Sequence, residues 1–108
     1  MSAAAETRAA NGDTLVQRMM LAVDPQAAPR ELERLAADQR EVVRWMVARN
    51  LATPPAALER LATDQQAVVR WRVAHNPSTP AAALERLAAD AHPAVRRAAE
   101  AEAARRQA

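Results

Sequence analysis

The chain has 108 residues, half of them hydrophobic, with fifteen basic residues against thirteen acidic ones and a net charge of +2 with histidine neutral. That length holds one small domain, 1–108, and not two. The absence of cysteine removes disulfides, thiol catalysis and thiolate-held metal or iron–sulfur centres, and the near balance of charge does not by itself call for nucleic acid.

With two Trp, no Phe or Tyr and a single Gly, the chain lacks the aromatic strand formers of a sheet. Ala, Leu, Arg, Glu and Gln favour helix instead, and an all-α fold is expected. Residues 1–14 read as a degenerate N-terminal cap: a poor helix at Ala3–Ala10, with Glu6 and Ala9 where later units have leucine, then a turn at Asn11-Gly12-Asp13. A helix at Leu15–Val23 follows, carrying "VQRM" at 16–19. "LERLAAD" at 32–38 then recurs as "LERLATD" at 58–64 and "LERLAAD" at 84–90, and "VVRW" at 42–45 recurs at 68–71 and as "AVRR" at 94–97. This period of 26 residues predicts an α-solenoid of stacked two-helix units. The units are 15–41, 42–67 and 68–93, closed by a C-terminal capping helix at 94–108.

Within a unit, Thr53 and Thr79 precede Pro54 and Pro80 and are expected to cap the first helix, with proline at its first position. Leu58, Leu61 and Ala62, repeated as Leu84, Leu87 and Ala88, form one apolar stripe. Asp38, Asp64 and Asp90 are expected to cap the second helix, Glu41 completing a capping box with Asp38. On that helix Val42, Val43, Met46 and Val47 cover the core face, and the helix stops near Asn50 or Asn76. The last helix begins near Ala91.

The phrase "VRWRVAHNPSTPAAALERLAAD", with its Val-Arg, Val-Ala-x-Asn-x-x-Thr-Pro and Leu-x-x-Leu-Ala-x-Asp elements, resembles the bacterial variant leucine-rich repeat, a helical solenoid related in layout to HEAT repeats. The resemblance spans about residues 15–98. It implies a right-handed superhelix in which an α-helix alternates with a shorter, sometimes 3₁₀, helix at a slightly shorter period. The longer unit here leaves room for two α-helices. One member type carries a cysteine-ligated iron–sulfur module, which this cysteine-free chain cannot build.

Two sets of residues stand out. Arg44, Arg70 and Arg96 each follow a turn Asp (Asp38, Asp64 and Asp90) by six residues, and the HEAT-like layout implies that such pairs form a structural ladder between units; the alternative is an Arg row presented to a ligand, with Arg44 and Arg70 part of the binding face. Arg18 stands at the same phase. Trp45 falls off the valine face of its helix, beside Arg44, Ala48 and Arg49, and Trp71 repeats it beside Arg70, Arg72 and His75, with Arg97 continuing the row. Indoles flanked by Arg suit a partner-binding stripe and also base stacking; the competing expectation is that both rings close the edge of the core. Arg72 breaks the pattern, because Met20, Met46 and Ala98 stand at its equivalents. It either snorkels from the core margin or adds charge to a stretch, 65–97, with five Arg against two acids.

No catalytic set emerges. His75 and His92 lie at different phases, the turn aspartates are a layer apart, and one Gly cannot build a phosphate loop. The expected function is a non-enzymatic protein-binding or structural module, with nucleic-acid binding through the Arg/Trp face as the alternative. No cofactor or metal is expected. The expected state is a monomer or a weak homodimer through the solenoid ends, and with no membrane span or export signal the cytoplasm is the default compartment.

Overall fold

The computed structural model describes residues 14–108, so all of the expected N-terminal cap but Thr14 lies outside the described residues. Among the described residues there are seven helices and no strand. They are α1 (Leu15–Val23), α2 (Pro29–Leu35), α3 (Glu41–Arg49), α4 (Pro55–Leu61), α5 (Ala67–Ala74), α6 (Ala81–Leu87) and α7 (Pro93–Gln107). The odd-numbered helices form one row, α1 against α3, α3 against α5 and α5 against α7, while α2, α4 and α6 each pack against the long helix before and the long helix after them. The assembly is elongated, 54 × 25 × 16 Å.

The core runs the length of this row. Leu32, Leu35, Leu58, Leu61 and Leu87 from the short helices meet Val43, Val47, Val69, Val73 and Val95 from the long ones, all fully buried. Each such side chain contributes about 1.5–3 kcal/mol by leaving water. Alanine fills the contacts between neighbouring helices: Ala22, Ala48, Ala74 and Ala99 are completely enclosed, so the long helices approach closely.

The helix caps differ from the expectation. Asp38, Asp64 and Asp90 lie two residues before the N-caps Arg40, Gln66 and His92. Each carboxylate accepts the backbone N–H two positions on, at 2.9, 2.9 and 2.8 Å, forming an Asx turn rather than a cap. The Asp38–Glu41 capping box is therefore not formed; Arg40 caps α3 without a side-chain bond. On α7 the His92 Nδ1 accepts from the Ala94 N–H at 3.2 Å.

Thr53 and Thr79 are not caps either. Pro54 and Pro80 occupy the N-cap positions of α4 and α6, and the buried threonine hydroxyls donate backwards to the carbonyls of Val47 and Val73, each at 2.7 Å. Each of these last-turn carbonyls also accepts a backbone N–H, from Asn50 and Asn76 at 3.1 and 3.0 Å, so the hydroxyl uses the second lone pair of a buried acceptor and satisfies its own proton there. The core face of α3 is also rotated from the expectation: Val42 is 39% exposed, whereas Ala48 is buried with Val43 and Val47.

Candidate functional site

The bonds that hold successive long helices fix the geometry of the surface above them. Arg44 Nε donates to the Asp64 carboxylate at 2.7 Å while its Nη1 donates to the Asp38 carbonyl at 2.8 Å. Arg70 repeats this with Asp90 at 2.8 Å and the Asp64 carbonyl at 2.7 Å, and Arg18 reaches Asp38 at 2.6 Å. Arg96 donates to the carbonyls of Asp90 and Ala91 at 2.7 and 3.1 Å. The Asp64 bond, ahead of the opposing effect of burial, holds the Arg44 guanidinium above its ordinary range. Burial pushes the Asp90 carboxyl up, but the bonds from Arg70 and the His92 N–H and the Arg70 charge together outweigh it and hold it below the usual carboxylate range.

At the other end of the same helices sits a second set of bonds that the residue pattern does not disclose. Asn50 Nδ2 donates to the carbonyls of Ala22 and Asp24, both at 2.9 Å. Asn76 Nδ2 donates to those of Ala48 and Asn50 at 2.8 and 3.1 Å. The fixed phase of the two asparagines is the one signal of it in the sequence. At the next equivalent position stands Glu102, also buried, which accepts from Arg105 and Arg106 instead. The Arg105 bond, against burial and with the Arg106 bond, holds its carboxyl below the usual range.

Trp45 and Trp71 are half-buried, packed on the edge of the core with part of each ring in solvent. The Arg72 guanidinium lies between them, its central carbon 5.7 Å from the Trp45 ring centroid and 5.6 Å from that of Trp71. Arg49 approaches the Trp45 ring as well, at 5.8 Å. All three distances are within cation–π range. His75 meets Trp71 edge-on, with centroids 4.4 Å apart and planes at 62°.

Among the described residues no carboxylate pairs with Arg49 or Arg72, and the buried Arg72 Nε has no hydrogen-bond partner. Burial, and then the charge of Arg49, lowers the proton affinity of Arg72, which stays charged at neutral pH all the same. Burial also lowers His75, helped by Arg72 and Arg105 and opposed by Glu102, so its ring is neutral at neutral pH.

Trp45, Arg49, Trp71, Arg72 and His75 are thus brought together. Arg44 and Arg70 are turned away into the bonds between helices, and Arg97 is exposed on α7. His92 does not join His75; it lies by a shallow groove of about 370 Å³ with Val68, Trp71 and Val95. A second groove of about 370 Å³ opens between α1 and α3, lined by Val23, Pro25, Met46, Arg49, Asn50 and Leu51. Among the described residues no group of three or more His, Asp or Glu stands close enough to hold a metal ion, and no helix is long and apolar enough to cross a membrane.

The family model described as leucine rich repeat variant matches this chain at residues 42–66 and again at 67–92. No curated protein and no solved structure matches it. Each family match takes in one long helix, the turn after it and the short helix that follows, so residues 42–92 are two adjacent repeats of the leucine rich repeat variant family, a family of helical repeats.

Proposed function

We propose that the chain is a non-enzymatic protein-binding module: a right-handed α-solenoid with a 26-residue period, units 15–41, 42–67 and 68–93, and a closing helix at 94–108. Trp45, Arg49, Trp71, Arg72, His75 and Arg97 form its partner-binding face. Arg44, Arg70 and Arg96, with Asp38, Asp64 and Asp90, act as the structural ladder beneath.

The observation that carries this reading is the Arg72 guanidinium held between two partly buried indoles with no counter-ion among the described residues and an unpartnered Nε. Desolvating a cation without a partner costs folding free energy, and an intramolecular carboxylate or an apolar residue such as Met46 would remove that cost. A partner that brings an acceptor recovers it on docking. Indole and guanidinium side chains are also the commonest anchors of protein interfaces.

The test is affinity capture from the source organism with the wild-type chain, Trp71→Ala and Trp45→Ala as baits. The expected result is a polypeptide retained by wild type and absent from both variants while their far-UV circular dichroism is unchanged. Equal retention by all three baits would overturn the assignment of the face.

Nucleic acid is the second reading, favoured by Arg49 and Arg72 lying against the indoles, and by Arg97 exposed on α7, all without carboxylate partners among the described residues. It requires retardation of DNA or RNA at low salt, and neutralising Arg72 and Arg97 together should then flatten the salt dependence by about one unit of slope for each phosphate that is no longer neutralised. Absence of any retardation at low salt ends it.

A further inference from the structure

We propose that the ligand of this face is an acidic, aliphatic peptide segment whose carboxylate is received between Arg49 and Arg72 over Trp45, with a neighbouring aliphatic side chain in the groove of Val23, Met46 and Leu51. The inference deepens the protein-binding reading and rests on it.

The argument starts from equivalent positions on successive long helices. On α1 the outward face is Val16, Met20 and Val23, exposed by 64, 65 and 53%. On α3 the same places hold Val42, Met46 and Arg49, and on α5 they hold Val68, Arg72 and His75. The surface therefore changes from aliphatic to cationic along the row, with Trp45 at the boundary. A ligand that fits it is aliphatic at one end and anionic at the other.

Charge complementarity selects the anionic end. Arg49 and Arg72 both lie within 6 Å of the Trp45 centroid, repel each other and have no carboxylate among the described residues. A single carboxylate placed between them relieves that repulsion and offers two oxygens to the guanidinium forks. The aliphatic end is selected by the adjoining groove, whose about 370 Å³ accommodates a Leu- or Met-sized side chain, with Arg49 on its rim and Leu51 65% exposed beside it. A nucleic-acid backbone would lay further phosphates over Val23, Met20 and Leu51 and lose their hydration there. A second copy of the chain would present the same cations to one another.

The experiment is selection of a phage-displayed library of random dodecapeptides on the full chain. Retained peptides are then synthesised and titrated against wild type, Trp71→Ala and the double variant Arg49→Gln/Arg72→Gln. The double variant keeps the fold, because neither arginine pairs with a carboxylate among the described residues, and a urea midpoint no lower than that of wild type verifies it.

The expected result is enrichment of Asp or Glu close to Leu, Ile or Met, with affinity falling at least about tenfold in the double variant and direct binding weakened by added salt. Peptides that depend on Trp71 but not on Arg49 and Arg72 would overturn the acidic ligand and leave the protein-binding face standing. Failure to enrich any peptide, or displacement of the selected peptides by an oligonucleotide that itself binds in an Arg72-dependent way, would count against both.

Discussion

The side-chain amide of Asn76 donates to the carbonyl of Ala48 at 2.8 Å, joining the end of α5 to the end of α3 across 28 residues of sequence. The same amide donates to the Asn50 carbonyl at 3.1 Å, and its oxygen accepts the Ser78 N–H at 2.8 Å. Asn76 is buried, so Asn76→Ala takes the side-chain donor from the Ala48 carbonyl, while that of Asn50 keeps the Thr53 N–H, and is expected to cost about 1–3 kcal/mol. Urea unfolding measures it. A loss below about 0.5 kcal/mol would mean that water replaces the amide and that this bond does not hold the units.

Arg44 and Asp64 form the corresponding bond at the opposite end, with only 16% and 8% of their side-chain surfaces exposed. Asp64→Ala or Arg70→Ala is expected to destabilise by about 1–3 kcal/mol, since each leaves a partly enclosed charge without its partner. A double-mutant cycle on Arg44 and Asp64 should return a favourable coupling. Zero coupling would remove the ladder as a stabilising element.

The two indoles are half-buried, so each should cost less than a fully enclosed core aromatic. Trp45→Ala and Trp71→Ala are each expected to lose less than about 3 kcal/mol, and iodide should quench the emission of the folded chain. Losses above that value in both variants, with emission shielded from iodide, would place the rings in the core and withdraw them from the binding face.

Arg72→Met restores the residue type found at Met20 and Met46. It removes an unpartnered buried donor and the repulsion with Arg49, and gives up the cation–π attraction to two indoles. The expected outcome is a gain of about 1 kcal/mol in unfolding free energy together with abolished partner binding. A variant less stable than wild type would show that the attraction to the indoles outweighs the unsatisfied group.

His75 sets a pH dependence. Burial first, then Arg72 and Arg105, depress its proton affinity in the folded chain, with Glu102 opposing. The unfolded chain therefore binds this proton more tightly. Stability is at its full value above the unfolded pKa of about 6.5 and falls as pH drops through that value toward the lower folded one. His75→Gln should flatten this part of the urea midpoint profile. The depressed carboxyls of Asp90 and Glu102 act below the usual carboxylate range and do not enter this window.

The repeating helices are legible in the sequence because Leu58, Leu61, Leu84 and Leu87 must recur at helical spacing to bury a stripe, and the phase of Trp45 and Trp71 places them at the margin of it. The bonds between helices are less legible. Asn50 and Asn76 read only as helix stops, because an amide that ends one helix shows nothing of a carbonyl 28 residues earlier until the two helices are side by side. Asp64 reads as a cap because Asp favours both caps and Asx turns, and only the true start of α5 two residues later separates them. Arg72 stands out as a break in the pattern, but whether it snorkels or inserts between rings depends on the distance from α5 to the Trp45 ring, which no residue type encodes.

The bonds at the two ends of the long helices have a mechanical consequence. Between α3 and α5, Arg44 and Asp64 tie one end while Asn76 and Ala48 tie the other. Two ties separated along a rod resist swinging and shear together, whereas either alone would leave a pivot. Trp45 and Trp71 are thus mounted on neighbouring rods at a fixed spacing, and the segment proposed to dock there would meet a template whose stiffness is already present before contact, so that little free energy would go into ordering it.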